Sequence, residues 1–427
     1  ALLVLPFIAA GCATGEAERA DAASGVYSFW PPLPDEPRVQ FLKSYRFSSD
    51  VEPQQSAFDE LVFGTERQVL PIGKPYGVAM WNGQIYICDI VNPSVVILDL
   101  RRQEARIMDA RGVGTMRQPT DIVIARDGTK YVIDLPASRI FVFNAQDQPV
   151  AAIGWEGFKP VSAAVHEDLL YVSDFDTQSV LVLDRYSGEQ LRAIGGPGGE
   201  DGRFIRPLGV AVDDEGNLYV TDVIKATLQK FSPEGELLLV QGQIADTAGN
   251  FVRPKHMDVD GEGVIYIVDA AFQNVQMFNQ DAEILMFFGS AGAHPGSMSL
   301  PAGIDVVDDG LELFSDLIHP AFDAQRLVLV SNQFGLNKVA VYAIGRLKEG
   351  RTVDDISNRA AISTGLAESP EENRIRPSEQ QPLPAEVQPA PEPQAEPLEP
   401  VDPGLPGKLP IQSPPAGSGG PPGADGR

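Results

Sequence analysis

The chain has 427 residues, with 33 Lys and Arg against 59 Asp and Glu, and its formal net charge is -26 at pH 7. This charge repels nucleic acid, so we expect no nucleic-acid partner. The only two cysteines, Cys12 and Cys88, form no CxxC motif, which excludes covalent c-type haem attachment, the usual zinc spacings and a disulfide framework. A content of 36 Pro and 41 Gly favours strands and turns over a compact helical domain.

The chain begins with a short apolar run. Residues 1–11 (ALLVLPFIAAG) end in small residues directly before Cys12, and we expect them to be a truncated signal peptide, too short to span a bilayer. The stretch Ala9-Ala10-Gly11-Cys12 resembles the bacterial lipobox, whose Cys is acylated. The resemblance implies a lipoprotein, lipidated at Cys12 and held in the outer membrane on its periplasmic or outer side. The alternative is a plain signal peptide followed by a chance Cys. We expect residues 12–37 to form the lipidated tether.

The middle of the chain repeats one phrase six times, each copy carrying a proline after a residue that is most often Lys or Arg. The prolines are 44, 41, 47, 47 and 47 residues apart: Pro75, Pro119, Pro160, Pro207, Pro254 and Pro301. An apolar strand that ends in Asp follows in five copies, at Asp89, Asp134, Asp174, Asp222 and Asp269, while the sixth copy has Asn332. Third and fourth strands follow. Three or four short strands in a period of this length are typical of a propeller blade.

The phrase resembles the NHL repeat. The best copy is Arg206 to Phe231 (RPLGVAVDDEGNLYVTDVIKATLQKF), and the resemblance covers residues 38–345. It implies an all-β, six-bladed propeller, with a linear solenoid as the alternative. The sixth copy ends at Val339 to Ile344 without a fourth strand, whereas Arg38 to Phe47 alternates apolar residues at period two. We therefore predict that this N-terminal strand completes the last blade and removes the open edge.

Cations recur where the innermost strand of each blade would begin. They are Lys74, Arg117, Lys159, Arg206 and Arg253, with Lys255 added in the fifth copy. One hypothesis is an electropositive ring around one mouth of the central channel, holding an anionic group of a ligand or partner. The other is that each cation pairs with one of the repeated Asp residues and joins neighbouring blades.

Residues that differ between copies are better site candidates than residues that the scaffold repeats. At the third place of the phrase stand Asp121, Ser162 and His256, and we expect them to face the channel mouth together with Tyr76 and Lys255. A catalytic or metal site needs several converging His or carboxylate side chains. Propeller lyases of the peptide-amidating type and lactonase-like propellers resemble this fold. The lyases require a His-rich metal centre, for which only His256 is a match, and the lactonases require several acidic or Asn ligands, for which only Asp121 is a match. The sequence therefore predicts no catalytic residues, no metal and no cofactor.

The last segment, residues 346–427, is rich in Pro, Glu, Gln, Ala and Gly, and we expect a disordered tail. The whole-chain pattern, including RVQFLKSY and SNQFGLNKVAVYAIG, resembles NHL lipoproteins of Gram-negative metal- and sulfate-reducing bacteria. That resemblance implies a lipid-anchored envelope platform that binds and assembles proteins, with multihaem cytochromes among the partners. The alternatives are a periplasmic lyase or lactonase-type enzyme that uses His256 and Asp121, and a sensor of an envelope ligand at the channel mouth.

Overall fold

The computed structural model describes residues 27–52 and 69–356. Two predicted segments lie outside the described residues: the signal run with the lipidation residue Cys12, and residues 357–427 of the tail predicted over residues 346–427. Among the helices of the described part, none has the length and apolar character needed to cross a membrane.

Two short strands precede the blades, and the first three blades then follow along the chain. The leading strands are β1 (Phe29–Trp30) and β2 (Val39–Tyr45). The strands of blades one to three are β3 (Pro75–Trp81), β4 (Gln84–Asp89), β5 (Ser94–Asp99), β6 (Glu104–Ile107), β7 (Pro119–Ile124), β8 (Lys130–Asp134), β9 (Arg139–Phe143), β10 (Pro149–Ile153), β11 (Pro160–His166), β12 (Leu169–Asp174), β13 (Ser179–Asp184) and β14 (Gln190–Gly195).

The last three blades repeat this order. Their strands are β15 (Pro207–Val212), β16 (Leu218–Asp222), β17 (Thr227–Phe231), β18 (Leu237–Gln241), β19 (Pro254–Val259), β20 (Ile265–Asp269), β21 (Asn274–Phe278), β22 (Ile284–Phe288), β23 (Pro301–Val307), β24 (Phe322–Asn332) and β25 (Val339–Leu347). Each of the first five blades is a four-stranded antiparallel sheet that begins at the predicted proline. The predicted six-bladed all-β propeller is confirmed.

The sixth blade is completed from the N-terminus. Strand β2 pairs antiparallel with β25, with Val39 opposite Ile344 and Tyr45 opposite Val339, as predicted. Strand β1 adds a fifth strand to this sheet, so residues assigned to the tether take part in the propeller. The innermost strands touch their neighbours around a closed ring, from β3 through β23 and back to β3. The solenoid alternative is therefore wrong.

The repeated carboxylates hold each blade together from within. In blade one, Oδ2 of Asp89 accepts the N–H of Gly73 at 2.7 Å and Oδ1 accepts the N–H of Lys74 at 3.0 Å. In blade six, Oδ1 of Asn332 accepts the N–H of Ser299 at 3.0 Å, which explains why an amide can replace the acid. The end of each second strand is thereby tied to the start of the innermost strand of the same blade.

The core is divided into six apolar clusters, each lying between two neighbouring blades. Near the channel the innermost strands approach so closely that the repeat uses glycine. A Cβ atom on Gly209 would lie 2.5 Å from the carbonyl oxygen of Lys255 and 2.8 Å from Cα of His256. The hydroxyl of Thr221 donates to that same Lys255 carbonyl at 2.7 Å. Blade-to-blade contact at this level fixes the position of the fifth innermost strand, which carries His256.

Candidate functional site

The channel contains a cavity of about 650 Å³ in the half that lies toward the C-terminal ends of the innermost strands. Its wall includes Asp121, Ser162 and His256, and its outer rim carries exposed carboxylates such as Asp168 and Asp308. We call this space the channel cavity. The opposite opening, surrounded by the repeated prolines, is the proline mouth. The predicted site residues are thus divided between two ends of one channel.

His256 and Asp121 come together in the channel cavity although they lie on opposite sides of the ring, three blades apart in either direction. The Nδ1 atom of His256 is 3.5 Å from Oδ1 of Asp121, and their side chains are 5% and 10% exposed. The two carboxylate oxygens also accept the N–H groups of Ile122 at 2.9 Å and Ala163 at 3.2 Å. This anchoring directs the carboxylate at Nδ1, which favours the imidazole tautomer with its proton on that atom.

The other ring nitrogen, Nε2 of His256, is buried and has no hydrogen-bond partner among the described residues. Burial lowers the pKa of His256, the nearby Asp121 charge opposes this shift, and the charge of Lys255 adds to it. Because the pKa falls below its ordinary value, the imidazole is neutral at pH 7 and Nε2 carries a free lone pair. A buried neutral imidazole with one free nitrogen can act as a general base.

Two further carboxyls line the same cavity on neighbouring strands, Asp258 on β19 and Asp305 on β23. Oδ2 of Asp258 accepts the N–H of Val306 at 2.7 Å, and Oδ2 of Asp305 accepts the N–H of Met80 at 2.7 Å. Burial raises the pKa of Asp258 to about 7, and repulsion by neighbouring carboxylates acts in the same direction. Burial followed by repulsion from Asp258 holds the pKa of Asp305 well above its usual range. These carboxyls can carry protons near neutral pH.

Sequence reasoning missed Asp258 and Asp305, although a signal for them was present. Both occupy the fifth place of the proline phrase, where the other four copies have Ala or Val. The candidates Asp121, Ser162 and His256 were all taken from the third place of the phrase. Because side chains alternate along a strand, the third and fifth places face the same side of the sheet. Departures from the repeat at the fifth place are therefore equally good site candidates.

Tyr76 and Lys255 lie on the proline-mouth side of His256. The Tyr76 ring meets the His256 ring edge-on, with centroids 5.4 Å apart, and the Lys255 ammonium lies 4.9 Å from the centroid of the same tyrosine ring. Tyr76 therefore contacts both the imidazole and the ammonium. Ser162 lines the cavity, where its own N–H donates to Oγ of Ser173 at 3.2 Å.

The cations of the phrase do not pair with the repeated Asp residues. In each of the five copies, it is the backbone N–H of the cationic residue that donates to the carboxylate, as Arg206 does to Asp222 at 2.9 Å. The same contact occurs in the other four copies. Within residues 27–52 and 69–356, no ion pair joins any of these side chains to a carboxylate. The pairing hypothesis between blades is therefore wrong for the described residues.

No family model matches the chain. Solved propellers do resemble it. They include virginiamycin B lyase from Staphylococcus aureus, at 11% identity over 66% of this chain and 86% of that chain with a TM-score of 0.45. A gluconolactonase from Xanthomonas campestris matches at 12% identity over 73% and 99%, with a TM-score of 0.46. Regucalcin, a calcium-binding protein from Agrobacterium tumefaciens, matches at 12% over 65% and 92%, with a TM-score of 0.45. At such identities the likeness concerns the fold.

The prediction of a non-catalytic binding and assembly platform is corrected by these findings. Enzymes are among the solved propellers that resemble the chain, including a lyase and gluconolactonases, and the non-enzyme prediction is corrected accordingly. The physical reason for the error is the incomplete residue set. One His and one Asp were too few for catalysis, but the channel cavity adds Asp258 and Asp305 to them.

A calcium site like the one that the name of regucalcin implies does not fit the side chains of this channel. Among the described residues, no group of three or more His, Cys, Asp or Glu side chains is arranged to hold a metal ion. The carboxyls of Asp258 and Asp305 instead each accept a backbone N–H from the next blade. The polar side chains of the channel cavity are therefore suited to donating and accepting protons.

Proposed function

We propose that the channel cavity is the active site of an enzyme that cleaves the carbon–oxygen bond of a small ester or lactone by general acid–base catalysis. One observation carries the proposal: a buried imidazole with a free nitrogen shares a cavity with two carboxyls whose pKa values are raised. In such sites the acid and the base are usually groups with shifted pKa values. Their surroundings move each pKa from its ordinary value toward the working pH.

His256 would be the base. Its neutral Nε2 takes a proton, while the Asp121 carboxylate, 3.5 Å from Nδ1, stabilises the imidazolium that forms. Asp258 or Asp305 would be the acid. With a pKa of about 7, Asp258 gives up its proton readily near neutral pH to the oxygen that leaves carbon. The burial that raises both carboxyl pKa values and lowers that of His256 thus prepares both partners at one pH.

Two reactions use this arrangement. If His256 takes the proton from a water molecule, the ester is hydrolysed, as in a lactonase. If His256 takes it from a carbon next to the one that bears the ester oxygen, a carbon–carbon double bond forms as that carbon–oxygen bond breaks, and the acid protonates the departing carboxylate oxygen, as in a lyase. Mass analysis separates the two, because only hydrolysis adds the atoms of water to the products.

The test is turnover of a panel of lactones and cyclic esters by the wild-type chain and by two matched variants. His256→Gln removes the base and should lower kcat/KM by about 10²- to 10⁴-fold. His294→Gln is the control, because that imidazole is exposed and bonds to Ser290 and to the carbonyl of Pro295. No turnover of any panel member, or equal activity of the two variants, contradicts the proposal.

We also propose that the protein is an NHL-type lipoprotein of a Gram-negative envelope, anchored in the outer membrane through acylated Cys12. The supporting observation is the lipobox-like stretch that ends at that residue. Two acyl signals suffice for stable membrane attachment. Cys12→Ser should release the protein from membranes, and unchanged retention would exclude the anchor. Envelope partners such as multihaem cytochromes stay a prediction, which a pull-down from solubilised membranes would test.

A further inference from the structure

The proline mouth carries an unneutralised set of cations at the end of the channel away from the channel cavity. Arg117, Lys159, Arg206 and Arg253 are exposed there, and Lys74 is half-buried. None of the five forms an ion pair with a carboxylate in the part of the chain that the structure describes. The mouth thus presents five cationic side chains without an ion-pair partner among the described residues, on a chain whose net charge is -26.

The carboxylates closest to these cations in the repeat have no capacity left to pair with them. Asp222, for example, accepts the N–H groups of Ile205 and Arg206 on one oxygen and those of Ile224 and Lys225 on the other, at 2.7 to 3.0 Å. A carboxylate with four such bonds has its lone pairs occupied. The guanidinium and ammonium groups above it remain available to an external anion.

Lys255 lies near Arg253 and Lys74 of this set and is only 8% exposed. Its ammonium lies over the ring of Tyr76, which reaches it from blade one, and it makes no hydrogen bond or ion pair to any described residue. Burial, together with the nearby charges of Arg253 and Lys74, lowers the pKa of Lys255 to about 8. A recessed ammonium without a carboxylate is unfavourable unless an anion accompanies it.

We propose that the proline mouth is a binding site for a small polyanion bearing phosphate or carboxylate groups, seated on Lys255 and Tyr76 and enclosed by Lys74, Arg206 and Arg253. This site is separate from the proposed active site, because His256 lines the channel cavity whereas Tyr76 and Lys255 are not among the residues of its wall. A small ligand fits better than a membrane or a protein surface, since a flat surface can reach the exposed arginines but not the recessed ammonium.

The test is isothermal titration calorimetry of the full chain at low ionic strength, with inorganic phosphate, pyrophosphate and citrate as probes. Lys255→Gln removes the central charge and should weaken binding about tenfold or more. Lys230→Gln is the matched control, because Lys230 also lies over a tyrosine ring, Tyr219 at 5.1 Å, but on an outer strand. Arg253→Gln, a change at an exposed residue, provides a second site variant if Lys255→Gln fails to fold.

The expected result is one saturable site that Lys255→Gln or Arg253→Gln weakens and Lys230→Gln leaves unchanged. Tighter binding of pyrophosphate than citrate identifies a phosphate ligand, and the reverse identifies a carboxylate ligand; either result supports the site. Absence of binding by all three probes, or equal losses in the site and control variants, overturns it. Because binding is measured without turnover, this outcome is independent of the proposed catalytic activity.

Discussion

The two ends of the central channel are built from the same six strands, yet they differ in how their polar groups are used. At the proline mouth, the same carboxylate recurs in blade after blade, and its oxygens are occupied by backbone N–H groups. In the channel cavity, the polar groups occur in only one or two of the blades, and His256 keeps a nitrogen without a partner among the described residues. The comparison teaches that the repeated carboxylates stabilise the scaffold, whereas departures from the repeat provide the candidate acid–base chemistry.

The largest effect is expected from removing the acid in the channel cavity. Asp258→Asn keeps the size and the ability to accept the Val306 N–H, but the amide cannot deliver an acidic proton. We expect kcat/KM for the ester substrate to fall by about 10²- to 10⁴-fold. Asp281→Asn, at an exposed turn, is the control and should keep full activity. Full activity of both Asp258→Asn and Asp305→Asn would show that the acid is assigned wrongly.

A second prediction concerns the close approach of the strands that separate the two ends. Gly209→Ala places a methyl group against the Lys255 carbonyl and Cα of His256, both of which are backbone atoms that cannot move away freely. We expect the free energy of unfolding to fall by about 1–3 kcal/mol, measured by urea denaturation. Gly199→Ala is the control, because no atom lies within 4 Å of its added Cβ. Equal stability of the two variants would argue against the tight ring.

The third prediction concerns the pH dependence of stability. Since the folded-state pKa of Asp258 is about 7, above its unfolded value, this carboxyl holds its proton more tightly in the folded than in the unfolded chain from about pH 4 to pH 7. Asp258 and Asp305 therefore make stability fall as pH rises through this window. In Asp258→Asn the slope should be shallower and stability at pH 8 higher than in the wild type. Thermal unfolding from pH 4 to pH 8 measures this, and an unchanged slope contradicts the raised pKa.

The smallest effect is expected at the hydrogen bonds between blades. Thr221→Val removes the donor to the Lys255 carbonyl without changing the side-chain shape, and should cost about 0.5–1.5 kcal/mol of unfolding free energy. Blade five carries Val268 at the corresponding place, so the scaffold accepts this side chain. Thr247→Val, in an exposed loop, should cost less. A larger loss at Thr247 would mean that contacts between blades are not what limits stability.

Much of the fold was predictable because local patterns determine it. The prolines begin the innermost strands, the alternating residues of Arg38 to Phe47 supply the closing strand, and Asn332 replaces the repeated acid without loss of its contact. The site was predictable only in part. Asp121, Ser162 and His256 were identified as departures from the repeat, and all three line the channel cavity.

The rest depends on distances that a single strand pattern does not contain. That Asp121 meets His256 across the channel, or that Tyr76 reaches Lys255 past blade six, follows from how six blades close into a ring. The pairing of cations with the repeated Asp residues was plausible from spacing, but backbone N–H groups already occupy those carboxylates. Strand β1 was missed because two residues are too few to show a period.

The measurement that tests the central claim most directly is infrared difference spectroscopy of the wild-type chain against Asp258→Asn and Asp305→Asn, recorded as a pH titration. It observes the protonated carboxyl band and needs no substrate. We predict that each substitution removes intensity from this band at pH 6, where ordinary aspartates are ionised, and that the Asp258 signal disappears around pH 7. A wild-type spectrum without protonated carboxyls at pH 6 would contradict an acid–base site in the channel.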